Sequence, residues 1–205
     1  MGARDDPLKY SSASLSVFLW DCIHKRWFDA ALQVQQQVTS IDEIREVHVA
    51  TLQTAVKIMA GDAEKWHPMN RETADHSMPY TTAVALMYGT VEPCHFEAEY
   101  WRNPRLLELV QKVKVHVSEE ANRRAPEAML SRVEVVTTSG ARHVAEVAYH
   151  RGHFKNPMSD QEVEDKFRAL ASGLLTPEQT SSVLERLWHL EQVQDIGEVI
   201  RMVRI

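Results

Sequence analysis

The sequence predicts an α+β fold: a small antiparallel sheet with helices, flanked on both sides by further helices. Three observations carry that reading. VKVHV (113–117) alternates apolar and polar residues, and RVEVVTTSGARHVAEVAY places two such runs around Thr138-Ser139-Gly140, the residue types of a hairpin turn. Ser159 with Glu162, and Thr176 with Gln179, have the spacing that closes a helix N-terminus reciprocally. MPYTTAVALMYG puts proline at the start of an apolar run and glycine at its end, the usual asymmetry of a helix.

Taken in order, residues 1–12 are polar and aperiodic, and the stretch from Ala13 to Val38 is apolar-rich and reads mostly as helix. A strand is expected around Val47–Leu52, followed by a helical pattern up to Ala60. GDAEKWHPMNRE reads as a loop, and a helix follows over Ser77–Tyr88. Asn103-Pro104 opens another helix, which leads into VKVHV and then the hairpin. RGHFKNPMS interrupts regular structure. The tail forms two amphipathic helices, marked by Val163/Phe167/Leu170 and Val183/Leu187/Leu190.

Composition excludes several classes. The 205 residues suffice for a sizeable core, and 44% hydrophobic with 25% charged content is ordinary for a globular protein. A formal net charge of -6 without a dense basic cluster argues against nucleic acid and anionic membrane as partners. No apolar run has the length of a membrane span. Asp6 stands where a myristoylation signal needs Ser or Thr, and the residue order of a secretory signal is missing. The expected location is therefore the cytosol, with an organelle matrix such as the mitochondrion as the alternative. The two cysteines, Cys22 and Cys94, fit a reducing compartment and are too few for the usual iron–sulfur ligation.

The densest chemistry lies in RETADHSMPY, where Arg71, Asp75, His76, Ser77 and Tyr80 crowd the start of the apolar helix. Helix N-termini present unpaired amides and the positive end of a dipole, so they suit anions. An arginine fork suits a carboxylate, histidine moves protons near neutral pH, and tyrosine can donate or relay. Together they suit a small polycarboxylate undergoing proton transfer. A structural reading stands beside this: Ser77 as a plain N-cap, Asp75 complementing the dipole, Arg71 paired with Glu72 or Asp75, and His76 as a satisfied histidine. His150-Arg151-Gly152-His153 lacks a third metal ligand of suitable spacing, and Cys94-His95 are neighbours that rarely face each other. Neither a metal nor a cofactor is expected.

These segments also resemble a known family. EVHVATLQTA, EKWHPMNRETADHSMPY, NPRLLELVQKVKV, RVEVVTTSG and YHRGHFKNPMSDQEVEDKF occur in the order found in MmgE/PrpD proteins, over about 41–200. That family includes 2-methylcitrate dehydratases, cis-aconitate decarboxylases and iminodisuccinate epimerases. The TADHS-x-PY string looks most like the dehydratase branch. The resemblance implies cofactor-independent lyase chemistry on a small tricarboxylate, in a cleft between an all-α domain and an α+β lid, usually in a homodimer. Residues 40–157 would be the lid, 29–39 a helical segment and 158–205 helices of the all-α domain, most of which this sequence does not contain. Residues 1–28 match nothing in the family pattern. Catalytic roles would fall to His76, Tyr80 and Asp75, and substrate binding to Arg71 and Ser77. The function expected is 2-methylcitrate dehydratase-type elimination of water. The alternatives are a non-catalytic carboxylate-binding or dimerisation module, and cis-aconitate decarboxylation or iminodisuccinate epimerisation. Partners expected are the tricarboxylate and either a second copy or a complementary helical domain. The helices at 27–38 and 159–205 are expected to carry apolar faces for such a domain.

Overall fold

The computed structural model describes residues 25–204, so the expectations for residues 1–24, including Cys22 and the start of the first helix, lie outside the described residues. The chain is α+β and divides into two compact units, at Asn156/Pro157.

The first unit is organised on a four-stranded sheet of order β2-β1-β3-β4. The strands are β1 (Ile44–Thr51), β2 (Val113–Val117), β3 (Ser131–Thr137) and β4 (Arg142–Val147). β3 and β4 are the expected hairpin, turning at Gly140, whose φ of 87° is one that a side chain rarely adopts. Thr137 N donates to the Ala141 carbonyl (2.9 Å) and Gly140 N to the Thr137 carbonyl (3.0 Å), which closes the turn. β1 pairs antiparallel with β3 but parallel with β2, so the sheet is mixed rather than wholly antiparallel. The reason is connectivity. Between β1 and β2 the chain runs through α2 (Gln53–Met59), α3 (Arg71–Asp75), α4 (Met78–Tyr88), α5 (Ala98–Trp101) and α6 (Pro104–Gln111), a crossover long enough to bring β2 back in the direction of β1. A short helix, α7 (Glu119–Arg124), joins β2 to the hairpin.

One face of the sheet is apolar. Val47 and Val49 of β1, Val133 and Val135 of β3, and Ala145 and Val147 of β4 are buried in a single cluster with helix residues. α1 (Lys25–Gln35) lies on this cluster, in contact with β3, β4 and α4. Its Trp27, Phe28, Ala30, Ala31 and Val34 are fully buried. The expectation that this helix keeps an apolar face for another domain is thus overturned: the face is spent on its own sheet. Covering a side chain the size of Phe or Leu is worth about 1.5–3 kcal/mol, so α1 belongs to the core energetically. α4 is buried continuously from Met78 to Leu86, as a helix apolar on every side must be. The opposite sheet face carries Glu46, His48, His116, Arg132, Glu134 and Arg142 around a shallow cavity, and Lys114 of β2 reaches Glu46 beside it.

The second unit contains α8 (Asp160–Ala171), α9 (Pro177–Trp188) and α10 (Gly197–Met202). Both expected capping boxes are formed, by Ser159 with Glu162 and by Thr176 with Gln179. Trp188 Nε1 donates to Glu164 Oε1 (2.9 Å) and Arg168 Nη1 to Ser181 Oγ (3.0 Å), joining α9 to α8. Leu170, Leu174, Leu187, Trp188, Leu190, Ile196 and Ile200 are exposed, in keeping with apolar faces on these helices.

Candidate functional site

The loop expected at 61–72 ends in a helix too short to leave a periodic signal. Asn70 caps it, its side chain accepting from Thr73 N (2.8 Å), and α3 then makes little more than one turn before a second helix begins. His76 is the C-cap of α3 and Ser77 the N-cap of α4. The five candidate residues therefore straddle a helix–helix corner, and their side chains divide into two groups.

Arg71 and His76 are on the outside. Arg71 is exposed and its Nη1 donates to Glu97 Oε1 (2.9 Å), rather than to Glu72 or Asp75. His76 Nδ1 lies 3.1 Å from the Glu72 carbonyl and 3.7 Å from Glu72 Oε1. A carbonyl only accepts, so Nδ1 carries the hydrogen, and in the neutral ring Nε2 is the basic nitrogen. Asp75 is half-buried, with Oδ1 buried and without a hydrogen-bond partner. Burial pushes its carboxyl above the usual range, with His76 and Arg71 pulling down and Glu72 pushing up.

Ser77 and Tyr80 are turned inward and do not join Arg71 and His76. Ser77 is fully buried; its Oγ accepts from Tyr80 N (3.0 Å) and donates to the Lys65 carbonyl. Tyr80 is also fully buried, and its hydroxyl donates to the His95 carbonyl (2.5 Å). Burial raises the Tyr80 phenol well above its ordinary value. Thr81 Oγ1 donates back to the Ser77 carbonyl (2.6 Å), and Trp27 Nε1 donates to Thr81 Oγ1 (3.4 Å). The N-terminus of α4 is thus closed by its own cap instead of opening to solvent. The cause is the burial of α4 on all sides: amides at the end of a core helix need partners inside the core.

Sequence reasoning missed two residues that shape the corner. Glu97 holds Arg71 from 26 positions away. His95 supplies the carbonyl for Tyr80, while its own Nδ1 accepts from Glu92 N (2.9 Å) and its ring lies parallel to that of Tyr88. The Cys94-His95 pairing is not formed: Cys94 is exposed and His95 is turned in. Among the described residues no group of three or more His, Cys, Asp or Glu side chains is placed to hold a metal ion, and no helix is long and apolar enough to cross a membrane.

The chain is similar to known proteins over most of its length. The family model described as MmgE/PrpD C-terminal domain matches residues 22–190, a span that contains all five candidates. The chain is 23% identical over 137 residues to the cis-aconitate decarboxylase of Mus musculus and 24% identical over the same length to that of Homo sapiens. In each case the match covers 67% of this chain and 28% of the relative. A cis-aconitate decarboxylase-like protein of Aspergillus oryzae is 22% identical over 166 residues, covering 80% of this chain and 34% of that protein. The chain thus spans about a third or less of the curated relatives it matches.

Proposed function

The chain belongs to the MmgE/PrpD family through its C-terminal domain, and from that premise we propose that it serves lyase chemistry on a small tricarboxylate, of the 2-methylcitrate dehydratase type. The observation that carries the proposal is the corner between α3 and α4, where an exposed arginine fork and a half-exposed histidine with a fixed tautomer precede the internally capped α4. A substrate carboxylate would take the place of the Glu97 carboxylate on Arg71, with the same charge and the same bidentate capacity. His76 Nε2 would accept the proton beside a substrate carboxylate as the carbon–oxygen bond breaks. The departing hydroxide would take a proton from an acid, leaving an unsaturated tricarboxylate and water. Asp75, next to His76 in sequence and held toward its neutral form by burial, would be that acid. Tyr80 and Ser77 would hold the corner in place. A second copy or a complementary helical domain would enclose the substrate.

The names of the matched relatives favour a second reaction on the same site, decarboxylation of cis-aconitate. The test incubates the purified chain with 2-methylcitrate and, separately, with cis-aconitate, following enoate absorbance and carbon dioxide release. Dehydration lost in both His76→Ala and Arg71→Gln supports the proposal; carbon dioxide release lost in both moves it to decarboxylation. Turnover that survives both substitutions overturns the site. No turnover, but a melting temperature raised by tricarboxylate and not in Arg71→Gln, leaves a carboxylate-binding module.

A further inference from the structure

The polar face of the sheet holds a chain of ionisable groups that the α3–α4 corner does not use. Val47 and Val49 of β1 point to the core, so Glu46 and His48 share the other face with Lys114 and His116 of the edge strand β2. In the parallel register His48 is paired with Lys114, and Ala50 with His116, which sets the two imidazoles on a diagonal. His48 Nδ1 is 3.0 Å from His116 Nε2, and His48 Nε2 is 3.1 Å from Glu46 Oε2. Lys114 Nζ donates to the same carboxylate oxygen (3.0 Å). The two rings are within 17° of parallel, with centroids 5.3 Å apart. That separation matches the nitrogen spacing extended at each end by a ring radius of about 1.2 Å, so the rings meet edge to edge along one N–H···N line. A metal held tetrahedrally by both nitrogens needs lone pairs converging off that line at a spacing of roughly 3.3 Å. Collinear lone pairs serve a proton.

The protons can be counted. An ionised Glu46 only accepts, so His48 Nε2 carries hydrogen and, in the neutral ring, Nδ1 accepts from His116 Nε2–H. One further proton, on His116 Nδ1, leaves that hydrogen bond intact. A second puts two N–H groups face to face and breaks it. We propose that Glu46, His48 and His116 form a latch between β1 and the edge strand β2, closed with none or one proton added to the imidazole pair and opened by the second. Lys114, Arg132 and Arg142 oppose the added charge, while Glu46 and Glu134 favour it; Glu134 is the cross-strand partner of His48 and is itself held by Arg132 and Arg142. Arg45 lies 3.8 Å from Glu46. Burial first, then His48 and Lys114, already hold the His116 imidazole below its ordinary range. The backbone bonds Val47 N to Lys112 O (2.9 Å) and Ser118 N to Thr51 O (2.8 Å) fix the two ends of β2 independently. Opening is therefore confined to the strand between them.

The test is an NMR titration of the imidazole carbon-bound protons in the full chain, with amide hydrogen exchange measured at each pH. The expected result is that the two imidazoles respond as one coupled pair, in two resolved macroscopic steps, and not as separate groups. The lower step should bring faster exchange at Val115–Val117. In His48→Gln, His116 should titrate in a single step and the acid acceleration should disappear; His116→Gln should do the same to His48. Independent single steps for the two rings, or a His116 curve unchanged by His48→Gln, would overturn the latch.

Discussion

Replacing Ser77 by alanine separates a structural from a ligand-facing role for the residue at the mouth of α4. The Ser77 hydroxyl accepts from Tyr80 N at 3.0 Å and donates to the Lys65 carbonyl. Loss of an N-cap costs about 1 kcal/mol. The abandoned Lys65 carbonyl adds about 1 kcal/mol, the lower end of the range for an orphaned acceptor, because Lys65 is half-buried and water can reach part of it. Ser77→Ala should therefore lose roughly 2 kcal/mol, and glycine, which caps nearly as well as serine, should lose less. With a urea dependence of about 2 kcal/mol per molar, the alanine variant should unfold about 1 M earlier. Tryptophan fluorescence reports it, since the Trp27 indole donates to Thr81 within the same helix turn. An alanine variant that unfolds with the parent but is no longer stabilised by tricarboxylate would refute the reasoning, because it would place the hydroxyl on the ligand and not on its own helix.

Three further substitutions probe the same corner and its helix. Tyr80→Phe keeps the buried ring but strands the His95 carbonyl, and should cost about 1–2 kcal/mol, seen as a thermal midpoint roughly 5 °C lower. Gly89→Ala should cost about 1 kcal/mol in a urea titration, because Gly89 ends α4 at φ 66°. Its new Cβ would come no nearer than 3.5 Å to another group, the Gln35 side chain, an ordinary contact, so the cost is conformational and not steric. Asp75→Asn should be more stable than the parent at neutral pH and equal to it near pH ~3. Burial raises the Asp75 carboxyl in the folded chain, so the charged form weighs against folding. The favourable protonated form is fully populated below the unfolded value of about 3.9, and its advantage is lost as pH rises through the raised folded value. Parallel urea titrations at the two pH values measure the difference.

Local signals were legible in the sequence because their partners lie within a few residues. The Ser159/Glu162 and Thr176/Gln179 boxes, the turn at Gly140 and the alternating VKVHV strand are all of this kind. The parallel pairing of Val47 with Val113 was not, since 65 residues intervene and alternation is blind to direction. Nor was the placement of α1, whose Trp27 and Phe28 read equally well as a face for a foreign domain or for the sheet they in fact cover. At the candidate site the residue types were evident but their directions were not. α4 is apolar on every side, so no periodicity tells which way Ser77 or Tyr80 points, and α3 is too short to have a period at all.

That same burial answers why so much polar chemistry gathers where a greasy helix begins. A helix sunk in the core has no solvent to satisfy its first amides, so the chain must bring acceptors and donors inside with it. Ser77, Thr81 and Tyr80 do so, through Tyr80 N, the Ser77 carbonyl and the His95 carbonyl. Once those bonds are made, the segment immediately before α4 has little freedom, and its exposed side chains inherit a fixed point of departure. Arg71 and His76 are those side chains. Groups that must meet a ligand with constant geometry are best carried on elements that do not move. On the proposed function, the inward polar residues hold the corner and the outward ones present it to the substrate.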